Sequence, residues 1–127
     1  MLRLPPAVQI LACTTPVSLR KSFDGLAAAV ESVLEREPMS GHIFVFFNRR
    51  ADQIRLLWWD RDGWLLVAKR LERGRFPMPW QRAPTQGQVW ALQPGELTLL
   101  LEGIDLRAGK RLPRWQPTGI ENSVTTM

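Results

Sequence analysis

The 127-residue sequence predicts an α+β fold: an antiparallel β-meander of three to five strands, packed with one longer N-terminal helix and one short C-terminal helix. Three observations lead there. Three short runs rich in β-branched and aromatic residues follow one another with only turn-length gaps between them. Ahead of them, apolar residues recur at the i, i+3, i+4, i+7 spacing of one helical face. Behind them, "PGELTLLLEGI" opens on proline and closes on glycine, the punctuation of a short helix.

Taken in order, "AVQILACTT" (7–15) reads as a strand limited by Pro16. Ser18 is placed to cap the first helix. Its apolar stripe is Phe23, Leu26, Ala27, Val30 and Val33 or Leu34, and Pro38 bounds it. "HIFVFFN" (42–48), "QIRLLWWD" (53–60) and "WLLVAKRLE" (64–72) form the meander. Asp62-Gly63 is a strong tight-turn signal between the last two, because glycine accepts positive φ freely. Pro77, Pro79 and Pro84 mark a loop. "VWAL" (89–92) adds a short strand. Residues 1–107 make one domain, and the polar, basic 108–127 segment is expected to be a mobile tail.

Alternation puts Ile43, Val45 and Phe47 on one face of the sheet and Phe44 and Phe46 on the other. A strand that is apolar on both faces must be covered on both. The first helix can cover one face. The other falls to later segments, a second copy or a partner protein.

Several function classes drop out. Cys13 is the one cysteine and His42 the one histidine, so neither an intrachain disulfide nor a thiolate metal cluster has its parts, and Cys13 reads as a buried, inert thiol on the first strand rather than a nucleophile. Asp60 and Asp62 flank a turn and read as turn formers, not as a two-metal centre. No apolar run approaches the ~20 residues of a membrane span, and the N-terminus lacks a clean signal-peptide core. We therefore expect a cytoplasmic protein with no catalytic residues, metal or cofactor.

The charge points toward a polyanion. Seventeen lysines and arginines against twelve carboxylates give a net charge of +5 and a pI of about 10.6. Arg49 and Arg50 occupy the first hairpin turn, while Lys69, Arg70, Arg73 and Arg75 follow the third meander strand. Meander topology brings both groups to one edge of the sheet. These six are the candidate phosphate contacts, with Trp59 and Trp64 as candidate backing aromatics. Tryptophans filling a core are the competing reading.

The segments "SLRKSFDGLAAAVE", "SGHIFVFFNRRADQIRLLWWDRDGWLLVAKRLERGRFPMPW" and "ELTLLLEGID" resemble the second-reading-frame, TnpB-type accessory proteins of insertion-sequence 66 transposons. The resemblance runs from about Leu4 to Leu106. It departs at "SLRKSF", where the family text reads "DMRKGF", and the basic pair survives that change. It implies a non-catalytic factor in DNA transposition. Its partners would be DNA at the element ends, the element's separate transposase, or a second copy of itself. The alternative is a pure protein-interaction module without DNA contact, docking through Phe44, Phe46, Leu57 and Trp59.

Overall fold

A computed structural model describes residues 8–20, 22–78, 80 and 87–102. The chain is α+β, with one five-stranded, mostly antiparallel sheet and two helices. In chain order the elements are β1 (Ile10–Cys13), α1 (Phe23–Ser32), β2 (Ile43–Phe47), β3 (Gln53–Asp60), β4 (Gly63–Arg70), β5 (Val89–Leu92) and α2 (Pro94–Leu101).

The spatial order of strands is β4-β3-β2-β1-β5. The meander β2-β3-β4 stands as the sequence predicts, with Phe44 opposite Leu57 and Trp59 opposite Trp64. Two features depart from a simple meander. β1 pairs with β2 in parallel, Ile10 beside Ile43, and α1 is the crossover between them. The first helix therefore sits inside a β-α-β unit. β5 then closes the far edge by pairing antiparallel with β1.

Placement of β2 between β1 and β3 explains its composition. All five residues of "IFVFF" are buried, none more than 3 % exposed. On one face Phe44 and Phe46 join Leu11, Leu57 and the α1 residues Leu26, Ala29 and Val30. On the other, Ile43, Val45 and Phe47 meet Ile54, Leu56, Leu97 and Leu100. That second face is also covered by Phe76, Met78 and Trp80 from the proline-rich connection after β4. Phe47 packs edge-on against Phe76 and Trp80 with centroids 5.8 and 5.5 Å apart. Edge-to-face pairs of this kind add to simple area burial.

These contacts correct the docking set. Phe44, Phe46 and Leu57 are 0 % exposed beneath α1, so they form core and offer no surface to a partner. Trp59 stands apart, half-buried at the far end of β3.

Several boundaries also move. α1 starts at Phe23 with Ser22 at its N-cap, not from Ser18. It stops well before Pro38, where Glu35 takes φ +55° and the Arg36 N–H returns to the Val30 carbonyl at 3.1 Å. A left-handed residue just past the last turn ends a helix without proline. Phe23, expected in the stripe, is 39 % exposed, and Leu34 is buried beyond the helix end. The β3–β4 turn is Arg61-Asp62, with Gly63 already paired to Asp60. The expected tail, 108–127, lies outside the described residues.

Two side chains tie the elements together. His42 accepts the Gln9 N–H on Nδ1 at 3.0 Å, joining the starts of β1 and β2. Lys69 donates to the Leu101 carbonyl at 2.8 Å, satisfying an orphan acceptor at the C-terminus of α2, where positive charge is favoured. Cys13 is buried and donates to the Thr15 carbonyl at 3.2 Å. Burial pushes its thiol above the ordinary range, and the Thr15 contact only partly opposes this.

Two outcomes follow from this packing. Phe46→Ala should cost about 3–5 kcal/mol, a large part of the stability of a domain this size, measured by urea unfolding. The folded state holds the Cys13 proton more tightly than the unfolded chain does. The associated stability is complete below the usual thiol range and is lost as pH rises through it. A Cys13→Ala chain should lack that alkaline decline in an unfolding series from neutral pH upward.

Candidate nucleic-acid interface

One end of the sheet gathers the C-termini of β1, β2 and β4 with the N-terminus of β3. The register shows this directly, with Gln53 opposite Arg70 and the Arg49–Asp52 turn joining β2 to β3. That turn is fixed from several sides. Asn48 Oδ1 accepts the N–H groups of Asp52 and Gln53 at 3.1 and 3.0 Å. Its Nδ2 donates to Asp52 Oδ1 at 2.6 Å. Ala51 adopts φ +59°, and its carbonyl accepts the Phe76 N–H at 2.7 Å. The Asp52 carbonyl accepts the Leu71 N–H at 2.8 Å. A turn with its backbone groups satisfied in this way presents Arg49 and Arg50 from a rigid base.

The connection from β1 to α1 is pinned beside this turn, because the Val17 N–H donates to the Phe47 carbonyl at 3.0 Å. Between the two lies a groove of about 580 Å³, lined by the Pro16–Arg20 segment, Asn48, Arg49, Arg50, Gln53 and Arg55. Among the described residues, four arginines thus line one depression and no carboxylate does. A second recess of about 440 Å³ shares Gln53 and Arg55 and adds Ala68, Lys69, Arg70 and Glu72. Crevices outside the carboxyl ends of strands are a recurrent place for ligands.

The carboxylates nearby neutralise this end weakly. Arg50 Nε stands 3.8 Å from Asp52 Oδ2, with the arginine side chain 81 % exposed. Arg70 reaches Glu72 at 3.1 Å, and both side chains are more than half exposed. Exposed pairs of this kind are typically worth under ~1 kcal/mol and exchange readily for a phosphate.

Of the six basic candidates, Arg49, Arg50 and Arg70 line these recesses. Lys69 lines the second as well, but its ammonium is engaged at the end of α2. Arg73 and Arg75 are exposed in the segment that bonds to Ala51 through Phe76. They share the same end of the sheet, but that segment packs Phe76 and Met78 into the face opposite α1.

Trp59 and Trp64 are placed elsewhere. They form a T-shaped pair with centroids 5.1 Å apart beside the Arg61-Asp62 turn. Trp59 lies six residue steps along β3 from Gln53, a run of about 20 Å. The tryptophans therefore cannot back the arginines.

Arg20 and Arg55 are groove residues that the sequence reading did not select. Arg55 carried a signal: it is the one charge within "QIRLLWW", on the same face as Leu57, where an apolar residue would otherwise be expected. Arg20 belongs to the basic pair of the "SLRKSF" motif, but its place beside the β2–β3 turn depends on the Val17–Phe47 hydrogen bond, which nothing local in the sequence announces. Among the described residues no cluster of three His, Cys, Asp or Glu could hold a metal ion, and no helix is long and apolar enough to cross a membrane.

A basic groove at the end of a small α+β sheet covered on both faces defines a candidate anion-binding site. The family comparison is more specific. Residues 8–111 match the model described as IS66 Orf2-like protein, and the chain belongs to that family of insertion-sequence products. Two curated relatives come from Sinorhizobium fredii, the uncharacterized proteins y4jC and y4hO. They are 37 % and 35 % identical over 113 residues, covering 89 % of this chain and 93 % of each relative. No solved structure matches the chain.

The turn supports a test independent of any ligand. Asn48→Ala removes three hydrogen bonds from a partly buried position and should cost roughly 1–3 kcal/mol. The loss should appear in thermal unfolding, with faster amide exchange concentrated in the 48–53 turn.

Proposed function

We propose that this protein is a non-catalytic accessory factor in transposition of an insertion-sequence 66-type element, and that it binds DNA backbone through the arginine groove. Family membership supports the link to transposition. The observation that carries the DNA reading is the convergence of Arg20, Arg49, Arg50 and Arg55 on one groove with no carboxylate among the described residues of its lining. Guanidinium groups suit this role because each presents planar, paired donors that match phosphate oxygens. Arg70 and the exposed Arg73 and Arg75 extend the positive field around the rim.

The recognition is of backbone and not of sequence. The groove offers cations and the Asn48 and Gln53 amides, whereas base readout needs an element able to enter a groove of the duplex. Selection of the element ends would then come from the separate transposase, with this chain adding affinity and orientation beside it. Docking to the transposase without DNA keeps only the half-buried Trp59 of its four expected contacts, because Phe44, Phe46 and Leu57 are core.

Fluorescence anisotropy with a labelled duplex tests the proposal. Affinity should fall steeply with salt, with a log–log slope of about −3 to −4 for four phosphate contacts. The Arg49→Ala/Arg50→Ala double variant changes only exposed side chains, so it should fold normally and reduce that slope by about 2. Absence of binding at low salt, or an unchanged slope in the double variant, would remove the groove from the function.

A further inference from the structure

We propose that β4 is a docking edge for a second copy of this chain, the two β4 strands pairing antiparallel to make one continuous sheet. Among the described residues β4 is the outer strand of the sheet and, at eight residues, twice the length of β5 at the other edge. Its pairing with β3 runs without a bulge from Gln53–Arg70 to Asp60–Gly63, and it contains no proline. Its second half is exposed, including Val67 at 45 %. Proteins ordinarily blunt an edge like this with bulges, proline or inward charges, because a row of unpaired backbone groups templates another strand.

The hydrogen-bond phase identifies those groups. The Asn48 N–H reaches the Gln53 carbonyl, which turns the odd-numbered residues of β3 toward β2 and the even-numbered ones toward β4. The Leu71 N–H to the Asp52 carbonyl continues the same phase on the β4 side. Gly63, Leu65, Val67 and Lys69 therefore face β3, and Trp64, Leu66, Ala68 and Arg70 present N–H and C=O groups outward.

A second copy fits this edge in one orientation better than the other. In the antiparallel register with Leu66 on the two-fold axis, Leu65 lies opposite Val67, Trp64 opposite Ala68, and Asp62 opposite Arg70. Apolar residues meet apolar ones, and the acidic turn of each copy meets the basic end of the other. Arg70 already holds Glu72, yet its fork has donors for a second carboxylate. Parallel pairing would set Lys69 and Arg70 beside their own copies and repel. The two-fold axis is perpendicular to the sheet, so both arginine grooves fall on the same face of the joined sheet. The dimer does not depend on DNA binding, and its test uses none.

Sedimentation velocity of the full chain over roughly 1–100 μM should show a reversible monomer–dimer equilibrium. Ala68→Pro removes an outward N–H that takes no part in the β3–β4 ladder, and Val67→Lys places a charge on the edge. Each should weaken association about tenfold or more while circular dichroism stays native. For the register, a chain carrying Leu65→Cys mixed with one carrying Val67→Cys should form the mixed disulfide in preference to either homodisulfide. A chain monomeric throughout the range, a dimer indifferent to both edge variants, or a preferred Val67→Cys homodisulfide would overturn the proposal.

Discussion

Burial of β2 on both faces is the constraint around which this molecule is arranged. A strand that hides three bulky phenylalanines and two β-branched residues from water cannot lie at an edge, and it cannot have a bare face. The parallel partner β1 and the antiparallel partner β3 satisfy its backbone. α1 covers Phe44 and Phe46, while α2 and the 76–80 segment cover Val45 and Phe47. Each fully buried phenylalanine contributes a few kcal/mol, so removing any one cover would expose more apolar surface than a domain of this size tolerates.

The same constraint creates the groove. A parallel β1–β2 pair requires the chain to cross over through α1, so the connection after β1 must leave from the end of the sheet where β2 also terminates. There the Pro16–Arg20 segment and the β2–β3 turn are forced side by side, each anchored by backbone hydrogen bonds. Arginines at these positions keep their heads in solvent while the chain beneath them is held. Positive charge is thereby concentrated without any buried ion, whose desolvation would have been costly. The tryptophan pair at the opposite end packs ring against ring across β3 and β4 and serves the sheet itself.

Much of this was legible in the residues. β3 runs over 53–60 and β5 over 89–92 as the sequence indicates, because alternation and turn signals are local. The basic end was legible from meander topology alone. What could not be read depends on partners distant in sequence. The prolines of the 77–84 region announce a loop, but nothing local shows that Phe76 and Trp80 turn inward to roof Phe47. Alternation showed that β2 needs two covers but did not say which segments supply them, and so Phe44 and Leu57 were open to being mistaken for an interface. The early stop of α1 rests on Glu35 accepting a left-handed conformation that glycine or asparagine would have advertised.

The central claim is that the end of the sheet bearing Arg20, Arg49, Arg50 and Arg55, and not the tryptophan end, meets nucleic acid. Chemical-shift mapping of the isotope-labelled protein during titration with a short duplex addresses it most directly. The account predicts shifts at the backbone of 16–20 and 48–55 and at the arginine side chains of the groove, with the Trp59 and Trp64 indole N–H signals unmoved. Perturbation centred on those two indoles, with the groove silent, would contradict it.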